Sequence, residues 1–332
     1  MKPFTCAVVG ATGMVGKSFL QILEERKLPI TELHLFASAK SAGTKIIYNG
    51  EPLTVKELSP SSFDNGIDIA LFAVSNRLSK IYALIAAEKG CIVVDNSSAW
   101  RMNPMVPLVV PEVNSEDIKK HKGIIANPNC CAAPAVVALK PLHDAFGLKR
   151  AVISTYQSVS GAGVGGWNDL DATLKGEAHG HFPYPIANNL IPFIGTYGPD
   201  DGGYTGEELK LMAEVRKILH IPDLPVTATC VRVPVYVGHS LSINAELEKP
   251  FDIKLVRKLL ANTPGIVLDD NPAQNRYPMP ITAAGNDAVH IGRLRSDDSC
   301  NNGLNMFVAC DNIRKGAATN AVQIVEHLLL SA

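Results

Sequence analysis

An α/β chain is expected, with a parallel, helix-covered sheet in its first part and an α+β second part built on a mostly antiparallel sheet. Three observations predict this. The first third alternates short apolar runs with amphipathic helical stretches, the mark of parallel strands connected by helices. A glycine-spaced turn, Gly10 to Gly16, joins the first apolar run to the first helical stretch. From about residue 150 longer apolar runs follow, separated by long loops, as an antiparallel sheet requires.

The elements follow in order. Strands are expected at Phe4–Val9, Leu33–Phe36, Ile69–Val74, Ile92–Asp95 and Ile124–Ala126, with helices over 14–27 and over 78–89, the latter closed by Gly90. Tyr48-Asn49-Gly50-Glu51 carries the Asn-Gly signal of a two-residue hairpin between 45–48 and 52–55, a ribbon that decorates the first domain without building its core. In the second part, strands are expected at 151–156, 226–236, 240–246, 290–295 and 304–310, and a helix at 207–219. The stretch 176–206 is rich in Gly, Pro and Asn and too long for a plain connection, so it is functional or an interface segment. The last segment, 316–330, has apolar residues at 318, 321, 322, 325, 328 and 329; this is one helical stripe that must pack, and it is expected to return to the first domain. The expected domains are therefore 1–130 with about 313–332, and 131–312.

At 332 residues the chain is long enough for two cores. Its net charge of -1, from 31 Lys+Arg against 32 Asp+Glu, gives no general reason to expect nucleic acid or an anionic membrane as partner. Seven cysteines without a C-x-x-C pair read as reduced thiols. No cleavable leader pattern opens the chain, and no run of 18 apolar residues occurs. A cytoplasmic protein is expected.

Gly10-Ala11-Thr12-Gly13-Met14-Val15-Gly16 has the spacing G-x-x-G-x-x-G, right after a strand and opening a helix. A Rossmann-type turn places backbone amides there for a pyrophosphate. After the second strand comes Ser38-Ala39-Lys40-Ser41 with no acid. Two hydroxyls and a lysine suit a 2′-phosphate, favouring NADP over NAD, although the same residues also make an ordinary solvated loop. Ser160-Gly161-Ala162-Gly163 begins a second glycine-rich loop, either close to a nicotinamide or a hinge.

Asn127-Pro128-Asn129-Cys130-Cys131 lies between an apolar run and an alanine-rich helix. A thiol at a helix N-terminus is readily ionised, which makes Cys130 a candidate nucleophile, and the nearby amides can hold an oxyanion. The candidate base is His239, beside Gly238 at the end of a strand interrupted by Pro234. His179-Gly180-His181 offers two ligands without a spaced third, so no metal is expected. Arg101 follows a first-domain strand at its C-terminal edge, and Arg232 lies on a second-domain strand where a buried guanidinium needs a carboxylate. Glu207 and Lys210 share a helix face, an arrangement equally common in surface ion pairs.

Taken in order, GATGMVG at 10–16, DNSSAWRM at 95–102, NPNC at 127–130, YQSVSGAG at 156–163, EELK at 207–210, VRVPVYVGHS at 231–240 and NIRKGAATNAVQI at 312–324 resemble the aspartate-semialdehyde dehydrogenase family over nearly the whole chain. The resemblance implies Cys130 as nucleophile, His239 as acid/base and Gln157 as the group that orients the reacting carbonyl. Arg232 would take the substrate carboxylate, with Asn129 in the same site. Arg101 and Lys210, positioned by Glu207, would hold phosphate. Gly10, Thr12, Gly13, Met14, Val15, Gly16, Ser38, Lys40, Ser41, Ser160, Gly161 and Asn320 would serve NADP. Two departures stand out: Lys40, where the family often has Arg, and Cys131, where a small residue is common and which reads as a bystander thiol.

The implied reaction is NADPH-dependent reduction of L-aspartyl 4-phosphate through a cysteine thioester, a step in making lysine, threonine, methionine and isoleucine. The implied partners are this substrate and phosphate, in a homodimer or homotetramer. N-acetylglutamyl-phosphate reductase uses the same chemistry but a PGCYPT-like nucleophile segment, unlike NPNCCAAP here. A non-catalytic relative would have no need of Cys130, Gln157, Arg232 and His239 together.

Overall fold

The structure, a computed structural model, describes residues 2–178, 180–198 and 200–331. Its strands are β1 Phe4–Val9, β2 Ile30–Ala37, β3 Lys45–Tyr48, β4 Glu51–Thr54, β5 Lys56–Glu57, β6 Ile69–Phe72, β7 Ile92–Asp95, β8 Ile124–Ala126, β9 Leu148–Gln157, β10 Val226–Arg232, β11 His239–Leu247, β12 Ile266–Leu268, β13 Val289–Asp297 and β14 Gly303–Cys310. The helices are α1 Met14–Arg26, α2 Asn76–Glu88, α3 Pro111–Asn114, α4 Ala132–Phe146, α5 Gly163–Leu174, α6 Gly206–Leu219, α7 Ile253–Ala261, α8 Pro280–Ala283 and α9 Thr319–Ser331. The chain divides into two compact units, Met1–Pro128 with Ala317–Ala332, and Asn129–Gly316.

The first unit holds a six-stranded sheet in the order β5-β2-β1-β6-β7-β8, parallel throughout. The central strand β6, Ile69-Ala70-Leu71-Phe72, is a continuous apolar run, as burial on both faces demands, and every residue of it is buried. Phe19, Ile22 and Leu23 of α1 share one core with Ala321, Val322, Val325 and Leu328 of α9. Arg26 closes that contact by donating to both carboxylate oxygens of Glu326, at 3.1 and 2.9 Å. Strand order reverses between β1 and β6, where a doubly wound sheet opens a crevice at its carboxyl edge.

The second unit carries a sheet in the order β10-β9-β11-β14-β13-β12. Its three inner ladders are antiparallel, and each edge adds a parallel pair, β10 on β9 and β12 on β13. The sheet is thus mixed. A parallel neighbour needs a crossover connection, and the long segment containing α5 and α6 supplies it between β9 and β10. The strand expected over 226–236 stops at Arg232, before Pro234, which has no N–H for a ladder. His239 therefore opens β11 instead of sitting in a strand-end loop. Among the described residues, no helix is long and apolar enough to cross a membrane.

Candidate active site

Cys130 sits just before α4. Cys131 occupies the cap position of that helix, its N–H bonded to Asn129 Oδ1 at 2.8 Å. Asn129 is fixed in turn, its own N–H donating to Glu214 Oε2 at 2.6 Å and its Nδ2 to Glu207 Oε1 at 2.8 Å. The two sulfurs and a ring nitrogen of His239 lie within 4.8 Å of one another.

The Cys130 thiol is held well below the usual thiol range. A hydrogen bond from the Cys131 thiol is the largest cause, acting against the cost of burial, and nearby His239 and Arg232 add to it. Cys131 moves the opposite way, pushed up by burial and by the sulfur it serves. A thiol that keeps its proton beside Cys130 favours ionisation of that neighbour, a source of acidity in addition to the helix terminus.

Around this pair the polar groups are buried and braced. Gln157, 1% exposed, accepts from Thr155 Oγ1 at 3.0 Å and donates to Glu207 Oε1 at 3.2 Å. Glu207 thus gathers the amides of Asn129 and Gln157, where pairing with Lys210 had been anticipated. Arg232, 5% exposed, donates from Nη1 to Ser158 O at 2.7 Å. Arg232 Nε and His239 Nε2 are buried and have no hydrogen-bond partner among the described residues, as expected of groups waiting for a ligand. A methyl group on Gly161 would come within 2.8 Å of Arg232 Nη1 and 3.1 Å of His239 Nε2. That glycine admits both side chains to the reacting centre, a role its place in a glycine-rich loop did not reveal.

Part of the 176–206 stretch is anchored to this unit. Asp169 accepts the N–H groups of Gly180, His181 and Phe182 at 2.7–3.1 Å, and the Phe182 ring centroid lies 5.8 Å from the Arg232 guanidinium. His179 lies outside the described residues.

In the first unit, the turn after β1 fits a dinucleotide. Gly10 has φ +88°, and a Cβ there would stand 2.3 Å from Ala73 O. Gly13 caps α1 without a side chain, which leaves the first-turn amides open to an anion. Beside it is a pocket of about 560 Å³ lined by Thr12, Lys17, Lys40, Ser41, Thr44, Lys45 and Ile46. Thr12 Oγ1 donates to Ser41 Oγ at 3.3 Å, joining the glycine turn to the loop after β2. Lys17 and Lys45 stand in no motif that the sequence displays. Lys45 belongs to the hairpin, and its proximity to Lys40 depends on how β3 folds back.

Arg101, 8% exposed, donates from Nε to Asn127 O and from Nη2 to Asn96 O, both at 2.9 Å. Fully buried Asn320 donates to Val109 O at 2.9 Å and to Asn127 Oδ1 at 2.8 Å; these bonds tie α9 to the loop that follows β8.

Residues 5–121 match the semialdehyde dehydrogenase NAD binding domain, and residues 139–315 the semialdehyde dehydrogenase dimerisation domain. The chain is 51% identical to aspartate-semialdehyde dehydrogenase of Aquifex aeolicus (strain VF5), with 98% of each chain covered. It is 44% identical to that of Bacillus subtilis (strain 168), over 97% of this chain and 96% of the relative. Among solved structures, aspartate semialdehyde dehydrogenase II from Vibrio cholerae complexed with ASA matches with a TM-score of 0.94 and 42% identity over 99% of both chains. The Candida albicans enzyme with NADP matches at 0.78 and 26% identity, also over 99% of each. With a nucleophilic thiol, a dinucleotide turn and full-length relatives in agreement, the chain belongs to the aspartate-semialdehyde dehydrogenase family.

Proposed function

We propose that the protein catalyses the NADPH-dependent reduction of L-aspartyl 4-phosphate to L-aspartate 4-semialdehyde and phosphate, and the phosphate-dependent oxidation in reverse. The observation that carries this reading is the Cys130 sulfur at the start of α4, within 4.8 Å of a ring nitrogen of His239, with Arg232 among the charges that favour its ionisation. Cys130 attacks the acyl carbon, phosphate departs, and a thioester remains on the sulfur. NADPH, when bound, supplies the hydride that reduces it. His239 shares its ring proton with the carbonyl oxygen as charge gathers there and withdraws as the carbonyl returns. Gln157, aimed by Glu207, orients the same carbonyl, while Arg232 takes the substrate carboxylate as a planar fork. Arg101 and Lys210 hold phosphate, and Asn129 keeps the nucleophile's turn in register. Asn320 serves the cofactor site by bracing its walls. NADPH oxidation measured with L-aspartyl 4-phosphate and with N-acetylglutamyl phosphate tests the assignment: turnover with the first alone is expected, and turnover with the second would overturn it.

For the cofactor, Gly10 to Gly16 takes the pyrophosphate, with Ser38, Ser41 and Lys40 at the 2′-phosphate. Lys17 and Lys45 add positive charge to the same pocket. Losing one charge-assisted phosphate contact costs roughly 1.5–3 kcal/mol. Lys40→Ala is accordingly expected to raise the KM for NADP by about tenfold or more and to change that for NAD little. Equal losses for both cofactors would remove Lys40 from the 2′-phosphate.

We also propose a homodimer formed through the face of the second sheet opposite α4. Tyr156 there is 38% exposed and packs on Phe307 with ring centroids 6.1 Å apart; half-exposed Val152 and Val231 flank them. Uncovered apolar sheet surface of this kind calls for a partner, and the matching dimerisation domain supports a second copy. Sedimentation at micromolar concentration is expected to give a dimer, which Tyr156→Asp weakens. A monomer before substitution would refute the assignment.

A further inference from the structure

We infer that Asn312, acting through Ser160 and Ser158, is a positioning residue that holds His239 as the tautomer with its proton on Nε2. The inference deepens the acid/base reading of His239 and rests on it. Its starting point is an amide that can only donate: Gly238 N–H lies 2.9 Å from Asn312 Oδ1, so that atom is the carbonyl oxygen and the other is the amino nitrogen. Nδ2 then donates to Ser160 Oγ at 3.0 Å. Having received there, the Ser160 hydroxyl can donate to Ser158 Oγ at 3.0 Å, and Ser158 Oγ lies 3.0 Å from His239 Nδ1.

A second donor points at the same nitrogen. The main-chain N–H of Ser158 lies 3.0 Å from His239 Nδ1. Ser158 Oγ and Ser160 Oγ also reach Asn312 Oδ1, at 3.0 and 3.3 Å, so each serine proton has two acceptors; the Asn312 amino donor turns the Ser160 proton toward Ser158 Oγ, where it competes with any proton on Nδ1, and this chain acts together with the Ser158 amide. A neutral imidazole accepting at Nδ1 has its hydrogen on Nε2. The chain is sealed from solvent, with Ser158 and His239 at 0%, Asn312 at 4% and Ser160 at 5% exposure.

The groups facing the ring are Cys130 and Cys131 from the start of α4, Arg232 across Gly161, and Cys310, which pairs with His239 between β11 and β14. With Nδ1 occupied, Nε2 is the nitrogen left for the sulfurs. It faces them as a donor, suited first to the thiolate and then to the oxyanion. The same tautomer leaves Nε2 without a lone pair for a metal ion, although two sulfurs and a ring nitrogen have ligand spacing.

The test is nitrogen NMR of the full-length enzyme labelled with 15N-histidine at neutral pH, with His239→Gln used to identify the signal. A bare Nδ1 and a protonated Nε2 are expected. Asn312→Asp keeps the side-chain shape and the acceptor for Gly238 but replaces the amino donor, reversing the direction of the chain. It is expected to mix the tautomers and to lower kcat by about tenfold, within the range of acid/base contributions, while KM for the acyl phosphate stays within about twofold. A proton on Nδ1 in the unaltered enzyme, or an Asn312→Asp variant that keeps the Nε2-protonated signature, overturns the inference. Mixed tautomers with unchanged kcat would instead sink the acid/base role of His239. If the variant does not fold, the spectrum of the unaltered enzyme decides alone.

Discussion

Cys130→Ala is expected to abolish both directions of turnover, lowering kcat by about 10⁴-fold or more, as loss of a covalent nucleophile does. Cys131→Ala is expected to keep turnover within about tenfold of the parent, because a single sulfur-to-sulfur hydrogen bond contributes only part of the activation. The pair differs in pH behaviour as well. With Cys130 held below the usual thiol value of about 8.5, its alkylation by iodoacetamide should fall off at a lower pH than that of an ordinary thiol. Removing the Cys131 donor should move that fall-off upward. Full activity in Cys130→Ala, or an unmoved alkylation profile in Cys131→Ala, would contradict the arrangement of the two sulfurs.

The second large effect belongs to Arg232. Its guanidinium is buried, tied to Ser158 O through Nη1, with Nε lacking a partner among the described residues. A buried, unpaired cation is costly; a substrate carboxylate removes that cost on binding. Arg232→Leu should therefore lower kcat/KM for L-aspartyl 4-phosphate by about 10³-fold, near 4 kcal/mol, the scale of removing one partner of a desolvated charge pair. Arg232→Lys should recover little, since an ammonium cannot grip Ser158 O and a carboxylate as a planar fork does. Steady-state kinetics on both variants decides, and a change below about fivefold in either would move the carboxylate elsewhere.

Much of this site could be read in one dimension because its signals are local. Gly10 to Gly16 announces a turn through spacing alone, and Cys130 precedes a run of alanines that can only be a helix. Other parts depend on contacts far apart in sequence. Lys45 joins Lys40 because the hairpin returns past the loop after β2. Glu207 meets Gln157 across 50 positions, and Ser158 meets Asn312 across 154. Hydrogen bonds of that reach leave no periodicity for a sequence reading to detect. Strand limits failed where backbone chemistry intervened: Val233 N–H still reaches Gln157 O at 2.9 Å, but Pro234 has no N–H to extend the ladder, and His239 opens the next strand.

The placement of α9 has a consequence for biosynthesis. Ala321, Val322, Val325 and Leu328 complete the core begun by Phe19 and Leu23, so the nucleotide-binding unit lacks one wall until α9 has been made. The catalytic unit is continuous from Asn129 to Gly316 and needs no segment from outside that range to close, since domains fold as units. The nucleotide-binding unit must instead unite two stretches that lie on either side of its neighbour in the sequence.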